Sequence, residues 1–135
     1  MRASPGDLIC EYKRKYTSLK VHPFEDASQQ VSLEGTLQAE CSGRLAGKEF
    51  GTMFWRQAAH GTATIEYYGV LTTADDEIVF VRGRGMGAVT SQGQTRVRTT
   101  VKFKTAAQQL AWLNITIASF EGSGDFSVVA GTCNA

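Results

Sequence analysis

The feature that most constrains this chain is a period of two. From Val31 to Cys41, the apolar Val31, Leu33, Leu37, Ala39 and Cys41 alternate with Ser32, Glu34, Thr36, Gln38 and Glu40. Successive side chains point to opposite sides only along an extended strand, so this segment has one dry face and one wet face. Gly35 reads as a bend within it. The same alternation returns in Arg96 to Thr105, where Val97, Thr99, Val101 and Phe103 oppose Arg96, Arg98, Thr100, Lys102 and Lys104. Leu110 to Phe120 is apolar at both parities, which predicts a strand covered on two sides. Leu8–Tyr16, Phe50–Gln57, Thr62–Thr73, Glu77–Arg84 and Phe126–Cys133 complete a set of roughly eight candidate strands.

The links between these strands are short: Ser42–Arg44, Ala58–Gly61, Ala74–Asp76, Ala106–Gln108 and Gly122–Gly124. Short links force neighbouring strands to run antiparallel, and a meander of this length with few helix signals closes most naturally into an up-and-down barrel. The expected architecture is therefore all-β, a single antiparallel barrel of about eight strands in one domain over residues 1–135. Only Pro23–Gln30 and Gly85–Gln94 read as longer loops, the second opening on a mobile Gly85-Met86-Gly87-Ala88. A barrel of this size is either plugged by its own side chains or holds one small ligand, and periodicity does not choose between them.

With 14 Lys plus Arg against 13 Asp plus Glu, the formal charge is +1, which excludes a global electrostatic footprint for nucleic acid or an anionic membrane. No continuous apolar segment suits a secretory core or a membrane span, so the expected address is the cytoplasm. Cys10, Cys41 and Cys133 are odd in number and have no paired-ligand spacing, which points to neither a disulfide framework nor zinc. If the meander closes, Cys10 and Cys133 lie on neighbouring strands, and a cytoplasmic setting keeps them reduced. His22 and His60 have no second ligand at metal spacing, and no phosphate loop or dinucleotide fingerprint appears, so neither metal nor cofactor is expected. Lys13-Arg14-Lys15 and the Arg96–Lys104 face are basic, and the latter reads first as the wet side of a strand.

Two adjacent segments hold the candidate chemistry. Thr64, Glu66, Tyr68 and Val70 share one face of the Thr62–Thr73 strand, with Ala63, Ile65, Tyr67, Gly69 and Leu71 on the other. On the next strand Ile78, Phe80, Arg82 and Arg84 share parity. In a tight hairpin, opposed residues keep a nearly constant index sum, which puts Glu66 opposite Arg84 and Tyr68 opposite Arg82. If that face is inward, Glu66 or Tyr68 moves a proton while Arg82 and Arg84 stabilise an enolate, phenolate or carboxylate. If it is outward, the same residues are solvated charge and Tyr67 fills the core. A structural Glu66–Arg84 ion pair is an equally natural outcome.

These segments resemble the family named domain of unknown function 3237, whose members form calycin-like barrels. Thr62–Glu66 followed by Ile78–Gly85 is similar to its paired strands, in which an acid precedes an Arg-x-Arg-Gly end. Arg98-Thr99-Thr100 with Phe103 and Thr105 is similar to its Arg-Thr-Thr strand, and Ala111-Trp112-Leu113-Asn114 to its aromatic-Leu-Asn strand. Trp55 aligns with an upstream tryptophan, and the likeness runs from about Gly43 to Gly122. The residue before that tryptophan, commonly acidic in the family, is Phe54 here. The resemblance implies a calycin-like barrel, and it weights Glu66, Arg82, Arg84, Arg98, Trp112 and Asn114.

Residues and resemblance together lead to the expectation of a cofactor-independent enzyme of cyclase, isomerase or lyase type. Its substrate is a small hydrophobic oxygenated molecule inside the barrel. Glu66, Tyr68, Arg82 and Arg84 are the catalytic candidates, and Trp55, Arg98, Trp112 and Asn114 the ligand-binding ones. The alternatives are a non-catalytic carrier of the same ligand class and a packed barrel acting as an interaction module. Neither nucleic acid nor membrane is expected as a partner, and homo-oligomerisation is left open.

Overall fold

The computed structural model describes residues 3–23, 29–58 and 61–135, excluding the side chains of residues 23 and 29–31. Eight antiparallel strands follow one another in chain order and close on themselves. They are β1 (Leu8–Pro23), β2 (Gln29–Gly43), β3 (Gly47–Ala58), β4 (Thr62–Thr72), β5 (Ile78–Val89), β6 (Thr95–Thr105), β7 (Ile117–Gly124) and β8 (Val128–Asn134). β8 pairs with β1 from Leu8↔Asn134 to Lys15↔Val128, so the first and last strands satisfy each other's backbone groups. This is the up-and-down barrel that the alternation predicts.

Parity sorts the side chains as expected. Leu33, Leu37, Val101 and Phe103 are buried and Val97 half-buried, while Glu40, Lys102 and Lys104 are exposed and Glu34 is half-exposed. The side chain of Val31 lies outside the described residues. β1 turns Cys10, Tyr12, Arg14 and Tyr16 inward, and β8 turns Val129 and Cys133 inward. Each fully buried Ile, Leu or Phe in this core contributes roughly 1.5–3 kcal/mol against leaving it in water. Beyond Tyr16, where the β1–β2 register shifts, β1 has no β8 partner and Leu19 and Val21 stand exposed.

Two expectations are corrected. Gly85–Ala88 is not a loop: β5 runs to Val89, and only Thr90–Gln94 turns. Its glycines answer to packing, because a Cβ on Gly87 would fall 2.6 Å from the Trp55 ring and 2.7 Å from Ile65. Leu110–Phe120 is not one strand either. Gln108–Ile115 forms a 3-10 helix, η1, followed by β7. Neighbouring Trp112 and Leu113 are both buried, and neighbouring Asn114 and Ile115 are both exposed, which erases any period of two. Of the expected Pro23–Gln30 loop, β1 takes Pro23 and β2 takes Gln29 and Gln30, and residues 24–28 lie outside the described residues.

Candidate active site

The β4–β5 ladder has the expected register, with Glu66 opposite Arg84 and Tyr68 opposite Arg82. The face that these four residues share is the outer one. Odd-numbered Ala63, Ile65, Tyr67 and Leu71 take the interior, so Glu66, Tyr68, Arg82 and Arg84 point to solvent. Arg84 donates from Nη2 to Glu66 Oε1 at 3.2 Å, and the Arg82 guanidinium lies 5.3 Å from the Tyr68 ring. Arg98 is also outside, ion-paired with Glu121 at 2.8 Å. These residues are withdrawn from an interior catalytic role, because the barrel's parity is set by the apolar residues between them.

The three remaining candidates are also placed. Asn114 clamps η1 to β6: its Oδ1 accepts from the Thr105 N–H at 2.8 Å and its Nδ2 donates to the Thr105 carbonyl at 3.0 Å. Trp112 is buried at the end of the barrel that η1 covers, with the Arg44 guanidinium 4.6 Å from its ring. Both residues are tied into closing that end, away from the interior cavity. Trp55, 1% exposed and donating from Nε1 to Gln57 Oε1 at 3.2 Å, does line that cavity.

The polar chemistry inside belongs to other residues. Arg14 is buried, and its guanidinium carbon lies 4.1 Å from the Phe120 ring centre, 4.4 Å from that of Tyr67 and 4.9 Å from that of Tyr12. Its Nε has no hydrogen-bond partner among the described residues. Glu49, with no exposed surface, accepts from the Tyr67 hydroxyl at 2.5 Å and from the Tyr12 hydroxyl at 3.4 Å. Burial pushes the Glu49 carboxyl above its ordinary value, while Arg14 and the Tyr67 hydroxyl pull it back. Burial works against the Arg14 charge, yet facing Tyr67, Glu49 and Tyr12 outweigh it and raise its pKa. The Tyr67 phenol is raised by burial and by Glu49, so it stays protonated and donates.

Beside this group, Cys10 stands opposite Cys133 in the β1–β8 ladder, and Cys41 lies on β2. Hydrogen bonds from Cys133 and Cys41 lower the Cys10 pKa, while donating to Cys10 raises the other two. Among the described residues, no set of three His, Cys, Asp or Glu is arranged to hold a metal ion.

A cavity of about 20 Å³ sits against Arg14, Tyr67, Met53, Thr99 and Phe120. That is room for about one water molecule. Toward the barrel mouth it meets Tyr16 and Trp55, both in contact with the ring of Phe126 from the β7–β8 turn, at 6.4 and 5.3 Å between centres. Asp125 holds that turn by accepting from the N–H groups of Ser127 and Val128.

The sequence carried a signal for this cluster. Arg14 shares parity with Cys10, Tyr12 and Tyr16, and Glu49 with Met53 and Trp55. Gly51 and Gly69 are paired across β3 and β4, and a Cβ on either would overlap the Tyr67 ring. Two facing glycines at core parity mark a large inward side chain.

No family profile and no curated protein matches this chain. Solved structures do match in fold. A protein of unknown function from Clostridium acetobutylicum ATCC 824 superposes with a TM-score of 0.84 at 13% identity, covering 96% of this chain and 97% of its own. A β-barrel-like protein from Acinetobacter baumannii AYE gives 0.78 at 14% identity, covering 96% and 93%. An enzyme from Penicillium herquei gives 0.62 at 16% identity, covering 99% and 98%. At these identities the likeness is one of fold.

Proposed function

We propose that this barrel is a cofactor-independent enzyme that moves a proton on a small oxygenated molecule held in its interior. Arg14 faces the oxygen that gains negative charge, and the Tyr67–Glu49 pair handles the proton. The observation that carries this reading is the buried Arg14 Nε, a donor with no hydrogen-bond partner among the described residues, beside a largely apolar cavity. Leaving that one buried N–H unsatisfied costs about 1–3 kcal/mol, which an oxygen bound in the cavity would remove. With Glu49 ionised, a substrate proton passes to the Tyr67 oxygen as the Tyr67 proton passes to Glu49; with Glu49 protonated, the relay runs in reverse. Since the cavity as it stands holds about one water, substrate binding requires the half-buried Tyr16 and Phe126 rings to part and the cavity to widen. The distant likeness to an enzyme of Penicillium herquei is compatible with this reading and names no reaction.

One observation favours a second reading. A cavity of about 20 Å³ suits a packed barrel that acts through its outer surface. The two separate on hydrogen exchange into substrate. Enolisable ketones, phenols and small carboxylates are screened for thermal stabilisation, and those that bind are incubated with the protein in D₂O and followed by NMR. The enzyme reading expects stabilisation that Arg14→Met abolishes. It also expects deuterium incorporation that Tyr67→Phe slows by roughly two to four orders of magnitude, the usual worth of a positioned acid or base. If no compound stabilises the wild type and none exchanges, the packed reading stands.

A further inference from the structure

The formal charge of +1 is an average that hides a sided molecule. The outer positions of β5 and β6 carry Arg82, Arg84, Arg96, Arg98, Lys102 and Lys104, all exposed. The outer face of β4 adds a single carboxylate, Glu66, and it is held by Arg84. On the adjacent β7, Glu121 pairs with Arg98, and the other acidic residues lie elsewhere, among them Asp75, Asp76 and Glu77 in the β4–β5 turn and Glu34 and Glu40 on β2.

Within this face a shallow groove of about 440 Å³ runs between Tyr68, Val70, Phe80, Arg82, Lys102 and Lys104. Register sets Phe80 between Val70 and Lys104, and Arg82 between Tyr68 and Lys102. Phe80 is 55% exposed, which folding alone does not reward, and Tyr68 is 42% exposed with the Arg82 guanidinium 5.3 Å from its ring and Phe54 edge-on to it. The groove holds three cations and no acid, and no carboxylate of the described residues lies within salt-bridge reach of any of the three.

We infer that the outer face of β4–β6 binds single-stranded nucleic acid, with phosphates on Arg82, Lys102 and Lys104 and bases stacked on Phe80 and Tyr68. Aromatic faces set among cations in a groove are the combination that such a polymer requires, since every base has a π-face and every link a charge. A second copy docking on itself through this face would set its cations against their own copies, which disfavours a symmetric dimer here. Apolar groups that enter a lipid surface project beyond the surrounding charges, whereas Phe80 and Tyr68 line a trough among them. The proposal concerns the outer face and is independent of the interior site.

Fluorescence anisotropy with a labelled 15-mer of deoxythymidine tests it, with duplex DNA, heparin and phosphatidylserine vesicles as competitors. For three phosphate contacts, binding weakens roughly 20-fold between 50 and 200 mM salt. Phe80→Leu, which keeps the apolar volume, and Tyr68→Ala each weaken it by about five- to a hundredfold, the fold-change expected for one stacked base. Lys102→Gln with Lys104→Gln cuts the salt dependence to about a third. Circular dichroism confirms that each variant is folded. The inference is overturned if the 15-mer fails to bind at 50 mM salt. It is also overturned if heparin or vesicles compete better than unlabelled 15-mer, or if Phe80→Leu and Tyr68→Ala bind like wild type, since charge alone then accounts for the binding.

Discussion

Glu49 is the side chain whose position demands most explanation, because a carboxyl with no exposed surface sits among phenols and beside a guanidinium. Burial raises its pKa above the ordinary value of 4.5, so across the interval between the two values the folded chain holds a proton that the unfolded chain has released. Stability from this group is therefore complete below about pH 4.5 and is lost as pH rises through the folded value. Glu49→Gln cannot ionise and should escape that loss. Urea unfolding of both proteins from pH 4.5 to 8 should show the difference moving in favour of the variant as pH rises. A pH-independent difference would mean that Glu49 titrates alike in both states. Glu66 offers the contrast: its pair with Arg84 is exposed on both sides, and such pairs are worth about 0–1 kcal/mol.

η1 shows how a short element closes one end of a barrel. Its Trp112 and Leu113 plug the interior, and the Asn114 amide bonds both the N–H and the carbonyl of Thr105 much as a neighbouring strand would. Thr105 in turn donates from Oγ1 to the Ile78 carbonyl at 2.7 Å, so one amide ties η1, β6 and β5 together. Asn114→Ala removes both bonds and should cost about 1–3 kcal/mol at roughly 0.5–1.5 per bond. If Asn114 contacted ligand instead, Asn114→Ala would leave urea stability within about 0.5 kcal/mol of wild type, as for an uninvolved surface change. The other elements follow alternation closely; the acidic Ala74–Asp76 turn marked a strand end correctly, whereas glycine did not always, since β5 runs through Gly85 to Val89 and the expected Gly122–Gly124 link is the end of β7.

On the scale of the whole molecule, closure brings the chain's ends together and sets Cys10 directly opposite Cys133, with Cys41 on the strand at the other side of β1. All three thiols are free and buried. Titration of the denatured protein under non-reducing conditions should find three thiols, and the native protein should react with none at short times. Two fewer on denaturation would mean a disulfide between Cys10 and one of its neighbours, Cys133 or Cys41. Closure also separates the molecule into two chemistries, a buried Arg14–Tyr67–Glu49 cluster and an exposed basic face on β4–β6.

Alternation and short links together determined most of the strands, their antiparallel order, the barrel and the Glu66↔Arg84 register, because both are local properties that admit few topologies; η1, expected as part of a strand, was not legible. Alternation also divided β2, β4, β5 and β6 into two faces. It did not identify the Glu, Tyr and Arg of the interior. The expected acid, phenol and cation were chosen at positions 66, 68, 82 and 84, whereas the barrel buries Glu49, Tyr67 and Arg14, brought together from three strands. Which face of a mixed strand turns inward depends on the summed apolar burial of all eight, and which polar groups meet inside depends on register around the ring. Both are long-range consequences of closure, and only the tertiary structure decides them.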